Sequence, residues 1–180
     1  MNKIQINLEY NFLTTHSPII IKFNEHVLYN GVCNQNKFTF FVDGFDKNNE
    51  IQIHLLRKNS DETQIIDGKI ISDTFIKINN IIINDHSMRH LVNDFGKIII
   101  DYSKNLGAYE YYIKNNIVPV NVLDKVNVLS LVAYYSFCFE LPINEWLKKY
   151  YKQFDFVSDI TYIQKLKNLS LKKLKKLDNF

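Results

Sequence analysis

Glycine and proline are scarce here, at five and three residues in 180, and neither an internal repeat nor a Pro- or Ser-rich linker interrupts the chain. One domain with an appendage is the economical reading. Only two cysteines are present, Cys33 and Cys138, so one bridge at most could form and no disulfide framework builds the fold. Cys138 lies in the apolar run YYSFCFEL, where a reduced thiol reads as a small core group. Long hydrophobic runs are missing too. The longest charge-free apolar-rich stretch, residues 126–139, falls short of the roughly 20 residues a membrane-spanning helix needs. The opening MNKIQINLEY alternates and has no signal-peptide core, so a soluble chain that is not exported is expected. There is no G-x-S-x-G elbow, P-loop, dinucleotide fingerprint or C-x-x-C pair, which argues against an enzyme built on a standard motif.

What is present is ample apolar material. Hydrophobic residues make up 46% and aromatics 14%, enough for a core and against global disorder. A chain of this length buries roughly 70% of its unfolded surface without help from disulfides or metals. The excess of Ile, Asn, Lys, Tyr and Phe is what an AT-rich coding sequence produces, so Asn in loops carries no functional weight. Net charge is +3 but uneven: residues 165–180 hold six Lys and one Asp, leaving a body with 16 basic and 18 acidic residues.

The apolar pattern is that of strands. Ile4, Ile6, Leu8 and Tyr10 recur at period two, Pro18 opens a strand over 19–23, and Phe38, Phe40 and Val42 alternate before Asp43-Gly44. Asn30-Gly31 predicts a type I′ hairpin turn, and Asp67-Gly68 a second hairpin. Ile51, Ile53 and Leu55 form another strand, with Gln52 and His54 on its other face. Ile76 and Ile78 are even while Ile81 and Ile83 are odd, so Asn79-Asn80 must be a turn or bulge. Strands follow at 98–100 and at Tyr135, Phe137, Phe139 and Leu141. Residues 102–112, with Gly107, read as a long loop. Pro142 suits the first position of a short amphipathic helix, INEWLKKYYKQF, and Ser158 or Asp159 suits the cap of a last one. The expected fold is all-β: an antiparallel β-sandwich, jelly-roll-like, over residues 1–156, with a basic amphipathic helical tail over 157–180.

Few side chains suggest chemistry. His86 and His90 are four apart, but the glutamate of H-E-x-x-H and a third ligand are missing, so solvent-exposed loop histidines are expected rather than zinc. Asp61, Glu62, Asp67 and Asp73 follow no calcium-loop spacing and read as turn formers. No cofactor is expected. Tyr102, Tyr109, Tyr111 and Tyr112 are the most suggestive group. They either close the open end of the sandwich or, exposed, meet a protein or stack on a glycan, with Tyr109, Tyr111 and Tyr112 as the candidate contacts. Trp146 is read as pinning its helix to the domain. In the tail, Leu166, Leu169, Leu174 and Leu177 form a stripe among lysines that include Lys172, Lys173, Lys175 and Lys176. This stripe suits docking on the same chain or on a neighbouring subunit. The tail lacks the Arg and interleaved aromatics of a nucleic-acid reader, so nucleic acid is not an expected partner.

The order of these features resembles a small β-sandwich module found in tailed-bacteriophage virion proteins, itself like a carbohydrate-binding module in architecture. There, a Lys and a D-x-T or D-T element precede a dG-x-I-x-x-D-x-x-I-x-I strand. A Tyr-bearing loop follows, and an aromatic strand runs into P-I-x-x-W-L. This chain supplies Lys58, Asp61, Thr63, Asp67, Gly68, Asp73, Ile76, Ile78 and Asp85, then Phe137, Phe139, Pro142, Ile143, Trp146 and Leu147, covering residues 19–147. It departs in having no prolines in the 102–112 loop and D-E-T where the adjacent D-T stands. The lysine-leucine extension lies outside the match. The resemblance implies a non-enzymatic structural component of a virion, assembled in the host cytoplasm: tail, baseplate, neck or fibre attachment. Its partners would be other virion proteins in a homo- or hetero-oligomeric assembly. The alternative is a host-surface glycan-binding module using the loop tyrosines.

Overall fold

Alternation of apolar residues with polar ones produces the strands of this computed structural model, which describes residues 1–12, 17–58, 62–67 and 69–153. One sheet contains β1 (Asn2–Asn11), β4 (Lys37–Val42), β8 (Phe75–Ile83), β9 (His86–Ser87) and β12 (Val128–Leu129), ordered β12-β8-β1-β4 with β9 also on β8. The other holds β2 (Pro18–Phe23), β3 (His26–Val32), β5 (Asn48–Leu55), β10 (Lys97–Ile100), β11 (Val122–Asp124) and β13 (Ala133–Glu140), ordered β11-β10-β13-β5-β2-β3. A separate hairpin joins β6 (Thr63–Ile66) to β7 (Lys69–Asp73). The fold is an antiparallel β-sandwich, as expected.

Burial follows the period-two pattern. Ile4, Ile6 and Leu8 of β1 face inward, as do Ile19 and Ile21 of β2, Ile51, Ile53 and Leu55 of β5, and Tyr135, Phe137 and Phe139 of β13. Each fully buried isoleucine contributes about 2 kcal/mol of transfer free energy. Tyr29 and Phe38 meet edge to face at 4.9 Å, joining β3 of one sheet to β4 of the other. Gly96 is compelled: a Cβ there would lie 2.3 Å from the Val92 carbonyl oxygen and 2.5 Å from the Tyr135 ring, whose hydroxyl donates to that same carbonyl at 2.7 Å.

The parity change in β8 is a bulge. Asn7 of β1 faces Asn80 and Leu8 faces Ile78, so Asn79 is the extra residue and both isoleucine pairs stay in the core. The Asp67 hairpin forms as expected, with Asp67 at φ 50°, while Gly68 lies outside the described residues.

Three expectations are corrected. Asn30-Gly31 is no turn: both residues lie within β3, paired with Ile20 and Ile19, and the reversal occurs at Asn24-Glu25, where Asn24 takes φ 51°. Asn24 wins the turn because its amide oxygen also accepts from the Glu50 N–H at 2.8 Å. Gly31 instead makes room for Tyr29, whose hydroxyl would sit 2.9 Å from a Cβ there. Cys138 is exposed and Cys33 is the buried thiol, because Tyr135, Phe137 and Phe139 commit the odd positions of β13 to the core. Both cysteines are free. Residues 102–112 are not a loop: a 3-10 turn over Tyr102–Lys104 leads into helix α2 (Leu106–Lys114).

Two compact units divide the chain, Met1–Phe139 and Glu140–Phe180. Between β9 and β10 the first unit has a short helix, α1 (Leu91–Asp94). In the second, α3 (Ile143–Gln153) has Glu145 in its first turn, where a carboxylate suits the helix dipole. Pro142 stands just before it, its carbonyl accepting from the Glu145 and Trp146 N–H groups. Ile143 and Trp146 are buried, and Lys149 pairs with Glu140 at 2.9 Å. No helix among the described residues is long and apolar enough to cross a membrane. The tail residues Leu166, Leu169, Leu174 and Leu177 with Lys172, Lys173, Lys175 and Lys176, and the caps Ser158 and Asp159, lie outside the described residues.

Candidate functional site

Past β10 the chain makes a 3-10 turn, Tyr102–Lys104, and then α2 (Leu106–Lys114). Asp101 initiates the turn: its Oδ1 accepts from the Ser103 N–H at 3.0 Å and the Ser103 hydroxyl at 2.6 Å. That hydroxyl is the main reason the Asp101 carboxyl is held below the ordinary carboxylate value. Asn105 then fastens the base of α2. Its amide donates to the Val132 carbonyl at 2.7 Å and accepts from the Val132 N–H at 2.9 Å, filling both backbone positions as a paired strand residue would. At the far end Asn116 takes φ 56°, and the Ile117 N–H returns to the Tyr112 carbonyl at 2.8 Å. Asn tolerates that left-handed position, which closes the helix. The Glu110–Lys114 spacing and the run of Leu, Ala, Glu and Lys outweigh Gly107, which is why a helix forms here.

Tyr109 and Tyr112 are three apart and therefore share a face of α2. Both rings meet Tyr102, at 5.8 Å and 6.1 Å, and Tyr111 meets Tyr112 edge-on at 6.0 Å. The Tyr102 hydroxyl donates to the Val120 carbonyl at 3.2 Å, and burial followed by the neighbouring Tyr112 raises its phenol above the ordinary value. The structure thus gathers Tyr109 and Tyr112 around Tyr102, with Tyr111 against Tyr112. It does not bury them: no residue of α2 is buried, so the tyrosines do not close the core. Tyr112 is half-buried, while the exposed apolar side chains between Leu106 and Val122 run from 43% at Tyr109 to 81% at Val118, with Leu106, Ile113, Ile117 and Val120 between. These aliphatic neighbours were not singled out from sequence. The signal was there, in apolar residues flanking the tyrosines with no polar alternation to bury them.

Three of the residues that carried the sequence resemblance, Lys58, Thr63 and Asp73, converge elsewhere, on a structural clamp. The Lys58 ammonium pairs with Asp73 and also donates to the Ser130 carbonyl at 2.6 Å, while the Thr63 hydroxyl donates to Asp73 at 2.7 Å. Lys58 is only 9% exposed and its ammonium is held by Asp73 and the Ser130 carbonyl, so this cluster holds chain segments together rather than presenting a charge. Asp85 takes φ 66° at a turn, and Asp61 lies outside the described residues.

A polar row crosses the outward face of the six-stranded sheet. Ser136 donates to Glu50, Gln52 bridges Glu50 at 2.9 Å and the His54 Nε2 at 2.9 Å, and His54 stacks on Tyr134 at 4.8 Å. Burial, then Lys22, lowers the His54 pKa below the ordinary value. Serine reaches the carboxylate and not the histidine, so this row lacks the nucleophile–base–orienter order of a hydrolytic triad. His86 sits in β9 and His90 just before α1, not on one helical face. Among the described residues no three His, Cys, Asp or Glu side chains gather as a metal site would require.

No family model matches the chain, and no curated protein does either. Among solved structures it is similar to the selenomethionine form of vCBM60, described under the statement that circular permutation provides an evolutionary link between two families of calcium-dependent carbohydrate binding modules. That likeness has a TM-score of 0.47 at 9% identity, covering 76% of this chain and 90% of that one. A resemblance so loose says nothing about what this chain binds.

Proposed function

We propose that this chain is a non-catalytic binding module whose β-sandwich displays α2 and the segment after it to a partner protein. The observation that carries this reading is a nine-residue helix with no buried residue, anchored at its base by Asn105 and lined with Leu106, Tyr109, Tyr111 and Ile113. Such an apolar, aromatic surface on a fixed scaffold suits burial against another protein, where aromatic anchors dominate affinity. Beside the rings stand the exposed aliphatic side chains Leu106, Ile113, Ile117, Val118 and Val120, which offer a sugar nothing to hydrogen-bond, and this favours protein over sugar. The finer setting, a structural part of a tailed-phage particle, rests on the order of features along the sequence.

The test is co-expression with the products of neighbouring genes, followed by size-exclusion chromatography. Ile113→Asp with Val118→Asp should weaken a complex at least about tenfold. Val27→Asp, on exposed β3, should leave it intact. Complexes untouched by the first pair, or no complex with any product, would end the reading. A second reading has its own observation: Tyr109 and Tyr111 are exposed aromatic residues, of the kind that stack on sugars. Saturable glycan-array binding that survives Ile113→Asp but is lost in Tyr109→Ala and Tyr111→Ala would favour it.

A further inference from the structure

A sheet edge is a row of backbone N–H and C=O groups waiting for a strand, and proteins blunt such edges with bulges, charge, proline or brevity. Among the described residues, four edges are blunted in this way. β3 carries Leu28 as an extra residue opposite β2, between the Tyr29 and Val27 pairings. β11 is three residues long and its Asp124 is paired with Lys97. β12 and β9 are two residues each.

β4 has none of these devices. Its six residues, KFTFFV, pair with β1 in unbroken register from Asn2↔Val42 to Asn7↔Lys37, and nothing pairs with its other side among the described residues. Phe38 is locked in the core, Phe40 and Val42 are half-buried, and Phe41 is 60% exposed on the outer face. The charges sit only at the two ends, on Lys37 and on Asp43 just beyond the strand. Both are exposed, and neither makes an ion pair among the described residues.

That arrangement is complementary to itself. Two identical antiparallel strands related by a twofold axis keep their inward residues on one side only if residues of the same parity stand opposite. With Phe40 opposite Phe40 of the second copy, Phe38 meets Val42, Thr39 meets Phe41, and Lys37 meets Asp43 at both ends. Shifting the register by one step in either direction puts Lys37 opposite Phe41 or leaves it beyond the paired strand, and the two charge pairs are lost. We infer that two copies of this chain pair edge to edge through β4, antiparallel, in the register that sets Lys37 against Asp43. The occupant is a second copy because the charge pattern of this edge matches its own reverse. One strand pair buries little surface, so the association is weak and concentration-dependent.

Sedimentation equilibrium of the full chain tests this, with circular dichroism confirming that each variant is folded. The wild type is expected to show a monomer–dimer equilibrium that weakens as salt rises. Lys37→Asp alone and Asp43→Lys alone each set like charges opposite one another, and each should raise the dimer Kd about tenfold. An equimolar mixture of the two single variants, and the double variant by itself, should recover dimers, because opposite charges again face each other at both ends. A chain monomeric at every concentration overturns the inference. So does a dimer indifferent to both single changes, or a mixture of the two that fails to associate.

Discussion

Cys33 is fully buried, and burial alone pushes its thiol from the ordinary 9.0 up to about 12. Below 9.0 the folded and unfolded states both keep the proton. Above it the unfolded chain releases the proton first, so stability is intact at neutral pH and declines as pH rises toward the folded value. The decline should approach about 1.4 kcal/mol per pH unit. Urea unfolding of wild type and Cys33→Ala, followed from about pH 8 to about pH 10.5, should show a steeper loss for wild type. Parallel curves would mean the thiol is not shielded as described. Tyr135, raised in the same direction by burial, contributes to both curves equally and cancels in the comparison. Parity explains why Cys138, read from sequence as a small core group, is exposed. YYSFCFEL shows that Cys138 keeps apolar company in sequence, but in a strand nearest neighbours point to opposite faces.

At the scale of single elements, α2 shows what local pattern hides. Its aromatic content and Gly107 look like loop, and the anchor that makes a helix worthwhile, Asn105 on Val132, joins residues 27 apart. No window of neighbouring residues contains that contact. Asn105→Ala should leave the Val132 N–H and C=O without partners and cost about 1–3 kcal/mol. It should also free α2, read as faster amide exchange across residues 106–117 with β13 protection unchanged. Uniform acceleration through both sheets, or none, would contradict a local anchor. The strands were more legible, because burial on one face writes itself into every second residue. The bulge at Asn79 could be read from parity alone. The turn between β2 and β3 could not: Asn30-Gly31 has the better local chemistry, but Asn24 has the tertiary partner, Glu50.

For the whole molecule, the large inward side chains of both sheets belong to Met1–Phe139. A chain stopped after residue 156 should therefore unfold at a urea midpoint within experimental error of the full chain, while any docking role of the lysine-leucine segment is lost. A large drop in that midpoint would mean the segment contributes to the sandwich itself. The family-like motif illustrates how far sequence reaches at this scale. Lys58, Thr63 and Asp73 were recognisable as a set, and they do meet, yet their meeting point is the Ser130 carbonyl, a backbone atom no side-chain motif can advertise. The open edge of β4 was invisible in sequence because it is defined by what fails to pair with it.

The extra residue at Asn79 has a consequence for the history of the strand that holds it. Anywhere else in β8, gaining or losing one amino acid would turn every downstream core isoleucine toward solvent. At this seam, removing one restores plain alternation, with Ile76 and Ile78 and the two isoleucines beyond still aimed at the interior. Length variation among descendants of this chain is therefore tolerated at positions 79–80 and barred on either side of them.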